Sequence, residues 1–275
     1  MAEIQILIAA YGEEDLKRIA SLTHPQIEGV EYLVGWQNYG EGTIPDTLLK
    51  RPDFKILLNN SSGLCKNRNY LLEKADGDIV VISDSDLSYT TRNIETIKEA
   101  FRKYADYDFL TFKFSSDEAL KTNPKHAFDF ENIPKGYYVA SVELTLNLKR
   151  IKKHGNLKDW LFNTNFGING NLFGSGEEDI LIAKVLKKGY RGRYIPEEIC
   201  HHPGGTTSDR LEYSREFIEA KGALFTFVKP RTWFLRMLMH AWRTRKAGTS
   251  FLDYCRWWLS GARKAKTNHV FAHEK

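Results

Sequence analysis

Asp78-Ile-Val-Val-Ile-Ser-Asp-Ser-Asp86 decides how the rest of the chain is read. Ile79 to Ile82 are four consecutive β-formers with no polar alternation, the pattern of a strand buried on both faces. The strand runs straight into Asp84-Ser85-Asp86. Two carboxylates one residue apart repel each other and are costly to desolvate unless a positive charge lies between them. In open α/β sheets, ligands bind beyond the carboxyl ends of the strands. Hard oxygen donors there suit Mg2+ or Mn2+ shared with substrate phosphates, so Asp84 and Asp86 are candidates for a metal–diphosphate site. Asp and Ser are also ordinary turn residues, and a solvated turn after the strand is the alternative.

Working outward, the chain alternates strand and helix. Apolar runs at Ile4 to Ala10, Glu31 to Gly35, Phe54 to Leu58 and Asp108 to Phe114 predict strands. Glu13 to Leu22, Leu64 to Lys74 and Thr91 to Tyr104 predict the helices between them. Connections this short imply a mostly parallel, Rossmann-like α/β sheet covered by helices. Residues 115 to 137, with Pro124 and Pro134, read as a long loop, and Tyr138 to Leu146 as a further strand. Phe162 to Gly176, rich in Gly and Asn, reads as an active-site loop, followed by a helix from Glu177 that Gly189 terminates. The helix opened by Gly63 would turn its first N–H groups and Arg68 toward an anion, although Arg68 is equally suited to an ion pair.

Composition bounds the class. The 275 residues are 42% hydrophobic and 27% charged, the balance of a globular protein holding one large α/β domain or a domain with an appendage. Cys65, Cys200 and Cys255 are odd in number and lack a CxxC spacing, so neither a disulfide framework nor a zinc site is expected. The start of the chain has no signal-peptide pattern and no window is long enough to cross a bilayer, so the expected setting is cytoplasmic. The net charge of +5 is uneven: Lys229 to Lys266 holds ten Lys or Arg and one acid, Asp253.

Four segments in order resemble family 2 glycosyltransferases of the GT-A fold, over roughly residues 3 to 225. They are Ala9-Ala10-Tyr11, Gly63-Leu-Cys-Lys-Asn-Arg-Asn69, Asp84-Ser85-Asp86, and Gly176-Glu-Glu-Asp-Ile-Leu-Ile-Ala-Lys-Val-Leu-Lys-Lys-Gly189. The resemblance implies a GT-A catalytic domain over 1–225, with a nucleotide-binding half (1–114) and an acceptor half (115–225), and a C-terminal helical extension over 226–275. It places Tyr11, Arg68, Asn69, Asp84 and Asp86 by the donor nucleotide. It assigns Glu178 as general base, with Asp179 and Glu177 as alternatives. It also implies that a histidine of Ile195 to Ser208 completes the metal site, His202 beside Pro203 in preference to His201. The adjoining Gly204-Gly-Thr-Thr-Ser208 would either wrap the diphosphate or form a turn. Where the family often has an acidic base-reading residue this chain has Val34-Gly-Trp-Gln-Asn-Tyr39, in which Gln37 or Asn38 would bond a uracil edge and Trp36 or Tyr39 would stack on it.

The expected reaction is inverting, metal-dependent transfer from a nucleotide sugar, UDP-linked, to a glycan or lipid-linked acceptor of the bacterial surface-polysaccharide type. Asp86 would bind Mn2+ or Mg2+ directly, and Asp84 through water or by way of the donor ribose. Trp233, Trp242, Trp257 and Trp258 interleave with the basic residues of the tail, the pattern of a helix in an anionic membrane interface. The expectation is therefore a peripheral enzyme on the inner face of the membrane, attached through residues 230–266, with no nucleic-acid partner. Packing of the aromatic residues on the catalytic domain is the alternative. The rival functions are a nucleotidyltransferase on a similar sheet and a non-catalytic membrane- or nucleic-acid-binding protein.

Overall fold

The computed structural model describes residues 2–117, 122–204, 214–244, 249–272 and 274. They fall into two compact units, the first built from residues up to 62, 66–161 and 185–205, the second from 63–65, 162–184 and the C-terminal helices.

The first unit holds an eight-stranded mixed sheet in the order β3-β2-β1-β4-β7-β5-β8-β6. Strands β1 (Ile4–Tyr11), β2 (Val30–Gln37), β3 (Phe54–Asn59) and β4 (Ile79–Asp84) are mutually parallel. Their crossovers are α1 (Gly12–Ser21), the short α2 (Asp46–Leu49) and α3 (Leu64–Lys74). Side chains alternate across β1: Ile4, Ile6, Ile8 and Ala10 join Leu16 and Ile19 of α1 and Ile94, Ile97 and Phe101 of α4 (Thr91–Lys103) in one core. A reciprocal cap between Thr90 and Asn93 starts α4 directly after the Asp84–Asp86 turn.

Beyond β4 antiparallel pairs enter the mostly parallel sheet. Of the Tyr138 to Leu146 segment only the end is strand, in β7 (Leu144–Asn147), because Ser141–Glu143 forms a 3-10 turn. It lies antiparallel between β4 and β5 (Phe109–Ser116), and α5 (Leu148–His154) follows. The expected loop at 115 to 137 contains a two-residue strand, β6 (Phe128–Asp129), at the sheet edge. After α6 (Glu177–Lys187), β8 (Gly192–His202) pairs parallel with β5 in two register shifts. Thr111 faces Tyr194 and Lys113 faces Glu198, so Pro196 sits in a bulge where its missing N–H costs no ladder bond. That proline is why the sequence does not announce β8 as a strand.

His24 is buried in this unit, edge-on to Tyr32 and Phe54 with centroids 5.3 and 5.6 Å away. Burial holds its pKa down to about 4, against about 6.5 in the unfolded chain. Between those values the unfolded state binds the proton that the folded state refuses, so stability is intact above about pH 6.5 and falls as pH drops toward 4. The loss amounts to about 3 kcal/mol at 1.36 kcal/mol per unit. Urea denaturation at pH 7 and pH 4.5 should show the slope, and His24→Phe should flatten it. An unchanged slope in the variant would assign the acid sensitivity to other groups.

The second unit packs α7 (Arg215–Val228), α8 (Trp233–Thr244) and α9 (Phe251–Thr267) with Phe162 to Lys184. Phe166, Phe173 and Ile180 share a core with Ala223, Leu224 and Phe227 of α7 and with Ala265 and Val270. The expected boundary after residue 225 thus falls inside α7. Trp258, Tyr254, Ile218, Met237 and Ala241 form a second core among the three helices. Glu219 is buried and bonded to Arg215 (2.9 Å), Ser260 (3.1 Å) and Lys264, which ties α7 to α9. At the same crossing, a Cβ on Gly222 would overlap the Trp258 backbone, and one on Gly261 the Glu219 carbonyl oxygen. Gly→Ala inside a helix ordinarily stabilises by about 0.5–1 kcal/mol, whereas overpacking costs about 1–3 kcal/mol. Gly261→Ala should therefore lower the urea midpoint. A raised midpoint would mean that α7 and α9 do not touch there.

Candidate functional site

The carboxyl ends of the parallel strands are aligned: Tyr11 pairs with Gln37, Gln37 with Asn59, and Ala9 with Asp84. Asn67 locks this edge. Fully buried on α3, it donates to the carbonyls of Gly35 (2.7 Å) and Ala10 (3.4 Å) and accepts from Asn59 Nδ2 (3.0 Å). A Cβ on Gly35 would collide with it. Asn67 lacks the motif signal of its neighbours Arg68 and Asn69, although the buried set Asn67, Arg68, Leu71 and Leu72 has helical spacing. Asn69 itself is half-buried.

Arg68 is 2% exposed, and its Nη2 bridges Asp84 Oδ1 (2.8 Å) and Ser141 Oγ (2.7 Å). It is thus an ion-pair partner that fixes Asp84 at the end of β4. Ser83, one residue earlier, accepts a 2.9 Å bond from the buried Tyr89 hydroxyl, which closes the turn from below. Tyr11 is 47% exposed at the end of β1, accessible for a flat ligand. The proposed base readers fare differently. Trp36 is buried with Nε1 donating to Gly12 O (2.8 Å), so it is not available to stack. Gln37 is buried too and donates to Ser61 Oγ (2.9 Å), whereas Tyr39 is half-buried and bonded to Asn60.

The end of β8 reaches this edge through a two-way backbone bridge. Ser88 N donates to His201 O, and His201 N donates to Ser88 O, each at 3.0 Å. Residue Ser88 lies just past the carboxylate turn, so the bridge delivers the adjacent histidines to it. Their side chains leave the strand on opposite sides. His201 meets Ser115 Oγ (3.2 Å) and Asp117 (3.5 Å). His202 places Nε2 3.2 Å from Asp86 Oδ2, while its Nδ1 accepts from Gly204 N (3.1 Å). The structure therefore brings His202, not His201, to Asp86. The bond to Asp86 raises the His202 pKa against the effect of burial. Burial pushes Asp86 up, but the bond to and charge of His202 hold its carboxyl below the usual value.

Asp86 Oδ1 is buried and has no hydrogen-bond partner among the described residues. An orphan carboxylate oxygen beside an imidazole and a second carboxylate is a donor set suited to Mn2+ or Mg2+. No group of three or more His, Cys, Asp or Glu among the described residues forms a ready cage. Mg2+-type sites commonly use one or two carboxylates and leave the remaining positions to water and substrate phosphates, so the residues present fit the ion. The expected diphosphate wrap at Gly205 to Ser208 lies outside the described residues.

In the second unit, Gly63 adopts φ +115° and Leu64 N donates to Ile168 O (3.0 Å), which fastens the start of α3 to the Asn-rich loop. The three acids at the start of α6 differ in access. Glu177 is buried, with its carboxylate packed beneath Gly167, Glu178 is half-buried, and Asp179 is exposed.

Residues 43–168 match the sequence model of the family described as Glycosyl transferase family 2, a segment holding α3, Arg68 and both aspartates. No curated protein sequence matches the chain. Among solved structures, S. aureus TarS residues 1–349 align with a TM-score of 0.57 at 14% identity, covering 98% of this chain and 92% of that one. The same TarS segment in complex with UDP-GlcNAc gives the same figures. In complex with UDP it gives a TM-score of 0.53 at 15% identity, covering 99% and 92%. At such identity the likeness speaks to the fold, which is GT-A with a C-terminal helical extension.

Proposed function

We propose that this chain, whose residues 43–168 match the family 2 glycosyltransferase model, is an inverting, metal-dependent glycosyltransferase that moves a sugar from a UDP-sugar to an acceptor hydroxyl. The carrying observation is Asp86, just past the carboxyl end of β4, with Oδ2 3.2 Å from His202 and Oδ1 without a hydrogen-bond partner among the described residues. Support for the donor comes from the TarS structures that hold UDP-GlcNAc and UDP. Asp86 and His202 would hold Mn2+ or Mg2+, with Asp84 behind them or at the donor ribose. The ion would supply neutralisation of charge on the departing diphosphate. Arg68 keeps Asp84 aimed, and Tyr11 and Asn69 take the nucleoside side. Glu178 accepts the proton of the attacking hydroxyl, because it combines access with shelter where Glu177 has only shelter and Asp179 only access. A single base with no carboxylate nucleophile corresponds to single displacement with inversion.

The acceptor in this reading is a glycan or lipid-linked saccharide in cell-surface polysaccharide assembly. The enzyme would then work peripherally at the inner face of the membrane through residues 230–266. No helix of the described residues is long and apolar enough to cross a membrane. The deciding experiment is thermal stabilisation by nucleotides and nucleotide sugars, with and without Mn2+. A ligand at a hundredfold excess over its Kd stabilises by about 2.7 kcal/mol. UDP or one UDP-sugar should raise Tm only when metal is present. A shift by another nucleotide corrects the base, and no shift with any nucleotide overturns the donor site.

A further inference from the structure

The outward side of α8 is apolar, where an outer helix face is ordinarily polar. Leu235, Leu238 and Trp242 follow one another at helical spacing and are 67%, 36% and 58% exposed, with Phe234 and Met239 exposed beside them. The opposite side, Met237 and Ala241, is buried against Ile218, Tyr254 and Trp258. Arg236 and Arg243, one repeat of seven apart, run along a single margin of the exposed ridge. At the start of α9, Phe251 and Leu252 are exposed as well.

We infer that this ridge of α8 lies in the interfacial layer of an anionic lipid bilayer, with the helix parallel to the surface and Arg236 and Arg243 on headgroup phosphates. The inference deepens the peripheral placement proposed above and rests on it. Three observations favour lipid over another occupant. The ridge is a convex helix side and not a groove, so it suits a fluid layer that needs no matching shape. Ten Lys or Arg lie between Lys229 and Lys266 against one acid, Asp253, which Arg256 engages at 3.4 Å; Glu219 of α7 engages Lys264, and the span still keeps a large excess of positive charge. A second copy packed antiparallel on the ridge would set arginine margin against arginine margin, which like charge opposes. Exposed Trp and Leu beside Arg is the chemistry of a surface-lying helix.

The test is co-sedimentation of the full chain with vesicles of phosphatidylcholine alone and with 30% phosphatidylglycerol, without nucleotide or acceptor. Binding should require the anionic lipid and weaken at least tenfold at high salt. Leu235→Glu with Trp242→Glu should lower it at least tenfold, and Trp242→Phe should remove most of the vesicle-induced blue shift in tryptophan fluorescence. Metal-dependent stabilisation by UDP should be unchanged in both variants. Failure of that stabilisation alone therefore condemns the transfer reading and leaves the lipid surface standing. Wild-type chain that ignores anionic vesicles, or a double variant that binds as wild type, overturns the inference. So does light scattering that shows a wild-type dimer and a monomeric double variant with no vesicle binding, since the ridge would then be a self-association face.

Discussion

Glu178→Gln should lower the transfer rate by about 10²–10⁴-fold, the usual contribution of a positioned general base, while leaving metal-dependent UDP stabilisation intact. The substitution keeps the size and polarity of the side chain and removes only its capacity to take a proton. Its neighbours supply the controls. Asp179 is exposed on the first turn of α6, and Asp179→Asn should stay within a few-fold of wild type. Glu177 is buried against the Gly167 loop, so Glu177→Gln should show first as a lowered Tm. Single-turnover transfer with saturating donor separates the cases. Should Asp179→Asn lose the rate and Glu178→Gln keep it, the base is Asp179 and the proposal fails at that residue.

Asp86→Asn should remove both metal-dependent donor binding and transfer, with kcat/KM lower by about a thousandfold, the scale on which a single electrostatic contact to a developing negative charge is felt. The amide cannot neutralise a cation, and His202 loses the carboxylate that faces it at 3.2 Å. Asp84→Asn should look different. Arg68 is buried and anchored on Asp84 and Ser141, so that variant loses stability along with donor affinity. Titration calorimetry of UDP at fixed Mn2+ gives the contrast. Undiminished donor affinity in Asp86→Asn would remove the ion from the mechanism.

Much of this was legible in the sequence, for reasons that can be named. β4 announces itself because an uninterrupted Ile-Val-Val-Ile run has few other uses, and its polar ending marks the working edge of the sheet. The start of α6 was legible because Gly189 closes a helix of clear length behind three acids. β8 was hidden by Pro196 and by two shifts of register that erase the alternation a strand normally shows. Adjacent histidines could be ranked from the sequence only by resemblance, since the strand's pleat decides which one reaches Asp86. Asn67 was missed because its role is to satisfy carbonyls of two other strands, Gly35 and Ala10, a duty no local pattern carries. In the tail, helical spacing separates the residues packed inward, Met237 and Ala241, from those turned outward, Leu235 and Trp242.

The glycine crossing of α7 and α9 also bears on what a shortened chain would lose. Gly222 and Gly261 each make room for backbone of the opposite helix, so neither has a purpose unless the other segment is already in place. The aromatic core beneath them draws Phe166 and Phe173 from one stretch and Ala265 and Val270 from another. Truncating the chain before α9 would therefore strip Phe166, Phe173 and Ile180 of part of their core and unsettle residues 162–184 as well.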